Sequence, residues 1–463
     1  MATGLYRRDA AVEDDRQTVP AAANGDGRAA AATVGVVLPG GGARGAYEVG
    51  ALSILLPALQ ARGERVSVWC GTSVGAINAT ALASLSHLEV KQQTGAALAL
   101  WRELRKSDVI APIAGSGGLR TLARLVGHGL RIPGLRFASL LDPSPLAHSL
   151  DRWIDWKQLS HNVDRDLVQA ICVIATSVSS GDPVAFVTSS TDIPRHRDDP
   201  IRYVRTRLRG EHVRASAAIP MLFPTVEITT PRGARGHYAD GGTRLNSPIK
   251  PALDLGVDRV IVIGLEPFAG TPARLAPAAR PSFADVAANV LDGLLVDQVA
   301  NDLRRLAAIN SFFVEDHSIG PIGSPRTYRM ARGLAPYRRI SYALVAPRRS
   351  GEIGRLAERI YSERYAGMRA VRDMDFAVMA RVLGVGNRSR GEFLSFLLFD
   401  RQFVAALTEM GRADALRWLR RHPRFWCRDA EHDLWNGHLD RARISEVHAI
   451  EEFRAQRMRR TGA

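Results

Sequence analysis

The strongest constraint on this chain lies between Thr33 and Gly45, where TVGVVLPGGGARG runs an apolar stretch into three consecutive glycines. Val34, Val36, Val37 and Leu38 read as a buried strand. Past Gly45, Val49, Leu52, Leu56 and Leu59 recur at steps of three, four and three, so a helix starts where the glycines stop. A loop without Cβ atoms before a helix N-terminus lets amide N–H groups approach an anion, and the helix dipole favours the charge.

Two chemistries compete for that loop. Gly40, Gly42 and Gly45 satisfy G-x-G-x-x-G after a strand and before a helix, the dinucleotide-binding pattern. That reading asks for an acidic residue at the end of the second strand, roughly 20 residues on. The second apolar run, Val66 to Cys70, ends instead in Gly71-Thr72-Ser73-Val74-Gly75. This is G-x-S-x-G, a nucleophile elbow whose glycines permit a sharp strand-to-helix turn and lift the serine hydroxyl out of the sheet. The two motifs together favour an oxyanion site facing a nucleophilic serine.

Composition narrows the class. A chain of 463 residues, 46% apolar, has material for a large core and one to three domains. No run of 18 uninterrupted apolar residues occurs, so no spanning helix is expected. The N-terminal MATGLYRRDAAVEDDRQ is too polar for a secretory signal. Cys70, Cys172 and Cys427 cannot form a disulfide framework and read as buried reduced thiols, which places the protein in the cytoplasm. The net charge of +15 rests on arginine, the only lysines being Lys91, Lys106, Lys157 and Lys250. Such a charge favours anionic partners, and peripheral contact with an anionic membrane surface is expected. No nucleic acid is expected, because no helix-turn-helix, RNP-like or zinc-finger pattern is present.

Along the chain, residues 1–32 lack periodicity and read as a disordered tail. A helix after Ser73 carries Gly75, Ala76, Ala79 and Ala83, small enough to lie close on the sheet, and an amphipathic helix follows over about Lys91 to Arg105. Ala114 to Ser139 is glycine-rich, basic and apolar in turn, and reads either as a mobile cover over a lipid groove or as an ordinary surface helix and loop. Strands are expected over Leu167 to Ser177 and Val184 to Val187, joined by a turn at Gly181-Asp182-Pro183. Arg202, Arg205, Arg207, Arg209 and Arg214 form a basic stretch. A helix over Ile249 to Leu255 precedes a strand at Arg259 to Gly264. Strands alternating with helices predict an α/β fold with a parallel or mixed sheet. After Pro281 the pattern is mostly helical, and Phe393 to Arg420 reads as a helix broken near Gly411. APRRSG, at Ala346 to Gly351, marks a boundary between residues 33–346 and a helical C-terminal region, 347–463, packing on or flanking them.

A serine needs a base as it attacks. The candidate is Asp240, in His237-Tyr238-Ala239-Asp240-Gly241-Gly242, where two glycines allow a tight turn at a strand end. The ordered blocks Gly40-Gly41-Gly42-Ala43-Arg44-Gly45, Gly71-Thr72-Ser73-Val74-Gly75, Ala215-Ser216 with Pro220, and Asp240-Gly241-Gly242 with Asn246-Ser247-Pro248 resemble the patatin-like phospholipases. The likeness covers about Thr33 to Gly264. Asp142 to Leu146 and the stretch around Leu394 to Ala415 are similar to bacterial members.

The resemblance implies a three-layer α/β/α fold and a Ser–Asp dyad without a catalytic histidine. Ser73 would be the nucleophile and Asp240 the general base. Gly40, Gly41, Gly42, Arg44 and Gly45 would form the oxyanion hole, and Gly71, Gly75, Gly241 and Gly242 would support the motifs. The substrate implied is a fatty-acyl ester of a phospholipid or other lipid, cleaved through an acyl-enzyme, with no cofactor and no metal.

Rival readings remain at this level. A Ser–His–Asp triad would use His212 or His237, although His237 and Asp240 would point to opposite faces of a strand. A lipid-binding protein without catalysis could retain the fold, and an NAD(P)-dependent oxidoreductase could use G-x-G-x-x-G. His422, Cys427, His432 and His438 follow no standard zinc spacing.

Overall fold

The computed structural model describes residues 32–111, 141–193, 200–220, 222–267, 340–365 and 389–427. Residues 1–31 of the expected tail at 1–32, the cover segment at Ala114 to Ser139, the stretch from 268 to 339, and His432 and His438 lie outside the described residues.

Among the described residues, nine strands form one mixed, mainly parallel sheet flanked by helices. They are β1 (Val34–Leu38), β2 (Val66–Thr72), β3 (Ala170–Ser177), β4 (Pro183–Ser189), β5 (Arg202–Arg205), β6 (Val226–Ile228), β7 (Gly236–Asp240), β8 (Arg259–Ile263) and β9 (Ser341–Val345). The main path runs β5-β4-β3-β2-β1-β8-β9. Every residue of β1 and β3 is buried, so both sheet faces are covered, as continuous Val/Ile runs demand. Strands β1, β2, β3, β8 and β9 pair in parallel, while β4 returns antiparallel to β3 after Gly181, which sits at φ 74. Cys70 and Cys172 are register partners with free, buried thiols.

Chain reversals between parallel strands are made by helices. α1 (Gly45–Gln60) follows β1, and α2 (Val74–Ser84) and α3 (Val90–Glu103) follow β2. α4 (Ser144–Trp153) and α5 (Trp156–Asp164) lead into β3, and α6 (Gly210–Ser216) follows β5. α7 (Gly242–Leu245) and α8 (Ile249–Asp254) connect β7 to β8. After β9 come α9 (Glu352–Tyr365), α10 (Ser389–Leu397) and α11 (Arg401–Arg421).

The C-terminal helices share the core. α11 packs on α1 so closely that a Cβ on Gly50 would meet the Thr408 carbonyl oxygen at 2.2 Å, and one on Gly411 would meet that of Tyr47 at 2.1 Å. Tyr47 donates its hydroxyl to buried Asp414 at 2.9 Å. Gly411 is therefore a helix-crossing point and not the expected break; α11 passes through it unbroken. The interruption falls earlier, between Leu397 and Arg401, where the Asp400 carboxylate accepts from the amides of Gln402 and Phe403 and starts α11.

Candidate active site

Ser73 stands at the turn from β2 to α2 with φ 54 and ψ −123, a conformation costly for any residue with a Cβ. The turn is tight enough that a side chain on Gly71 would strike the Gly75 carbonyl at 2.2 Å, while one on Gly75 would strike that of Leu38. Only glycines fit on either side of the elbow. Ser73 is 4% exposed, and its amide donates to Ser216 Oγ at 2.8 Å. Ser216 in turn donates that hydroxyl to the Ile174 carbonyl, and its own carbonyl accepts from Gly241 N. One buried serine thus ties the elbow to β3 and to the aspartate loop.

Asp240 arrives through sheet register. β2 ends at Thr72, opposite Ile174 of β3. β7 then pairs antiparallel to β3, with Asp240 opposite Ala175. Because β4 occupies the other edge of β3, β7 lies on the β2 side and continues the slot that β2 vacates. Asp240 and Ser73 therefore face one another across the junction of two strands.

The Asp240 carboxylate is fully buried, and its Oδ1 accepts from Gly242 N at 2.7 Å. Oδ2 closes no hydrogen bond among the described residues, yet the Ser73 hydroxyl is near enough to favour the ionised form. Burial outweighs this and the Gly242 amide, and lifts the carboxyl to about 7. A side chain on Gly241 would meet the Ile174 carbonyl at 2.3 Å, so that residue is where the chain squeezes past β3.

The glycine loop divides by what its amides already do. Gly40 N donates to Asn246 Oδ1 at 2.8 Å, Arg44 N to the Gly41 carbonyl, and Gly45 N to the carbonyls of Gly42 and Ala43. Among the described residues the amides of Gly41 and Gly42 have no partner, so these two, not Gly40 or Gly45, are free for an oxyanion. Gly42 sits at φ 58 and lines the cavity at Ser73. Gly45 serves packing: a Cβ there would meet Val74 at 2.5 Å.

Arg44 does not point its charge at that cavity as expected. Its guanidinium is fully buried against α10: Nε donates to Ser395 Oγ at 2.6 Å, and a terminal nitrogen to the Glu392 carboxylate at 2.6 Å and carbonyl at 2.8 Å. A buried cation needs a counter-charge, and Glu392 supplies it.

Neither histidine offers an imidazole to the pair. His237 is exposed, on the face of β7 opposite to the one that carries buried Tyr238 and Asp240. The His212 ring packs edge-on to Phe186 at 4.9 Å, and its Nδ1 accepts from Arg209 N. No histidine hydrogen bond to Ser73 or Asp240 occurs among the described residues. His422 stacks on Trp418, Cys427 is buried, and no metal-sized cluster of His, Cys, Asp or Glu occurs among the described residues.

An apolar cavity of about 50 Å³ opens at Ser73, walled by Gly42, Trp101, Trp153, Phe396 and Leu397. A larger groove of about 770 Å³ between α4, α5 and α6 is lined by charged side chains such as Lys157, Asp164, Arg207 and Glu211, and touches neither Ser73 nor Asp240. The cavity beside the hydroxyl is the one that concerns chemistry. Sequence reading missed two roles: Asn246 as the clamp on Gly40 and Ser216 as the clamp on Ser73. Both residues sat inside motif blocks, but only contacts across the fold reveal what they hold.

No curated protein matches the chain. Among solved structures, the crystal structure of VipD from Legionella pneumophila aligns with 84% of this chain and 67% of its own, at 14% identity and a TM-score of 0.30. Residues 36–253, which hold the glycine loop, the elbow, Ser216 and Asp240, match the family model described as Patatin-like phospholipase.

Proposed function

We propose that the protein is a serine acyl hydrolase that cleaves fatty-acyl esters of phospholipids through a Ser73–Asp240 dyad. The observation that carries this reading is the end-to-end meeting of β2 and β7, which sets a strained, nearly buried serine beside a buried carboxylate with one oxygen unpaired. Ser73 Oγ attacks the ester carbonyl carbon as its proton passes to Asp240 Oδ2. The carbonyl oxygen takes the negative charge and accepts from the Gly41 and Gly42 amides, helped by the N-terminus of α2. The tetrahedral centre collapses, the alcohol leaves with the proton from Asp240, and an acyl ester remains on Ser73. Water then gives a proton to Asp240, attacks that ester, and releases the fatty acid as Ser73 regains its proton.

An aspartate of ordinary acidity, ~3.9, is a weak base for this task. Burial that lifts Asp240 to about 7 brings it near the pH at which proton transfer is efficient. The net charge of +15 favours an anionic bilayer as the surface on which the substrate is met. A dinucleotide reading fares worse: Thr72 ends β2 where a carboxylate is needed, and the Phe396 carbonyl lies 2.2 Å from where a Gly42 Cβ would be, so the loop's outer side is filled.

The test is a fluorophosphonate probe together with fatty-acid release from mixed phospholipid vesicles. Wild type is labelled and releases fatty acid, Ser73→Ala does neither, and Asp240→Asn releases little. Loss of about 10³-fold in His212→Ala or His237→Ala would replace the dyad by a triad.

A further inference from the structure

The cavity at Ser73 has two kinds of wall. Trp101 on α3 is fixed from within the core: its indole Nε1 donates to Asn78 Oδ1 at 2.9 Å, and Asn78 Nδ2 donates to the buried Glu48 carboxyl at 2.8 Å. Phe396 and Leu397 form the facing wall and come from α10, which lies outside the matched 36–253. A helix distant in sequence thus completes a pocket that begins at the serine.

What holds α10 there is localised. Arg44, two residues beyond Gly42, reaches Glu392, one turn before Phe396, and Ser395, next to it in the chain, and its guanidinium carbon lies 4.1 Å from the centre of the Phe396 ring. The same residue therefore joins the glycine loop to the aromatic wall. The free space beside Ser73, about 50 Å³, is far below the ~300–1,000 Å³ of pockets that engulf a drug-sized ligand. With α10 in this position, a short acyl group fits beside Ser73 and a long one meets Phe396 and Leu397.

Resting on the assignment of Ser73 as nucleophile, we propose that α10 gauges acyl-chain length: Phe396 and Leu397 are specificity-determining residues that slow long chains relative to short ones without excluding them, and the Arg44–Glu392 pair holds them in place. Glu392 is a positioning residue, since it acts through α10 and does not touch the cavity.

The experiment measures kcat/KM of the full chain on butyryl, octanoyl and palmitoyl p-nitrophenyl esters, with active sites counted by fluorophosphonate. Wild type is expected to favour butyryl. Phe396→Ala with Leu397→Ala is expected to raise the palmitoyl-to-butyryl ratio about tenfold, mainly through KM, as pocket contacts with methylene groups do. Because that double variant removes buried side chains, Glu392→Gln is the second arm; it keeps shape, loses the charge, and is expected to move the ratio about threefold the same way. Parallel losses on all three esters, or an unchanged ratio in both variants with active sites fully labelled, would overturn the gauge while leaving the nucleophile intact. A wild-type protein that takes no label at Ser73 would overturn both.

Discussion

Asp240 and Ser73 meet where two strands share one slot in the sheet: β2 stops at Thr72 opposite Ile174, and β7 enters from the other direction to place Asp240 opposite Ala175. The proposed nucleophile and base are thereby fixed by backbone pairing, so neither depends on a mobile loop for its position. The pairing also explains the burial of Asp240, since an acid inside a sheet junction is cut off from water. Its raised pKa follows from that burial.

The pH behaviour of Asp240 separates activity from stability. As proton acceptor it must be ionised, so kcat/KM on a soluble ester is expected to climb with pH and level off above about 7. For stability the sign is opposite. The folded carboxyl has a pKa above its unfolded value, so its favourable contribution is full below the unfolded pKa and is lost as pH rises through the folded one. Asp240→Asn is therefore expected to exceed wild-type Tm by a wider margin near pH ~8 than near pH ~5. Calorimetry at both values checks this, and equal Tm differences would contradict the burial argument.

Backbone strain at Ser73 predicts an unequal response to two substitutions. Ser73→Ala keeps a Cβ at φ 54, whereas Ser73→Gly removes it. The glycine variant is expected to be more stable than the alanine one by about 1 kcal/mol, by denaturant titration, with both inactive.

Ser216→Ala leaves the Ser73 and Gly241 junction without its hydroxyl and strands the buried Ser73 amide. The expected cost is about 1–3 kcal/mol of stability. Misplacement of the nucleophile is expected to lower kcat by up to about 10²-fold. Asn246→Ala, which frees the Gly40 amide, is expected to lower kcat in the same direction. Stopped assays on a soluble ester, with active sites counted, read both.

Glycine positions on α11 and α3 give a paired test of helix packing. Gly411→Ala puts a methyl 2.1 Å from the Tyr47 carbonyl and is expected to destabilise by about 1–3 kcal/mol as α1 and α11 part. Gly95, exposed in α3 with open space around it, is expected to gain about 0.5–1 kcal/mol on replacement by alanine. Urea unfolding of the two variants should move in opposite directions.

Local patterns in the sequence were enough to find the elements and their special turns. An apolar run into glycines, a serine between glycines, and an aspartate before a glycine pair each report on a few adjacent residues, and the backbone obeys them: β1, the Ser73 elbow and the end of β7 are where those patterns put them. The α/β class followed in the same way from strand and helix periods. The helical period of Phe393 to Arg420 was legible too, but Gly411 was read as a break because helix propensity is local, while the reason for that glycine is the carbonyl of Tyr47 across a helix crossing.

Tertiary structure decided the rest, since the deciding partners are far apart in the chain and leave no periodic trace. Asn246 claims the Gly40 amide across 206 positions, and Glu392 claims the Arg44 charge across 348. These two bonds occupy the Gly40 amide and the Arg44 charge, and leave the amides of Gly41 and Gly42 for the proposed oxyanion site. The sequence by itself determined which groups could react; sheet register and the return of α10 determined which of them face the same small cavity, because a hydrogen bond spent elsewhere in the fold is not available to a substrate.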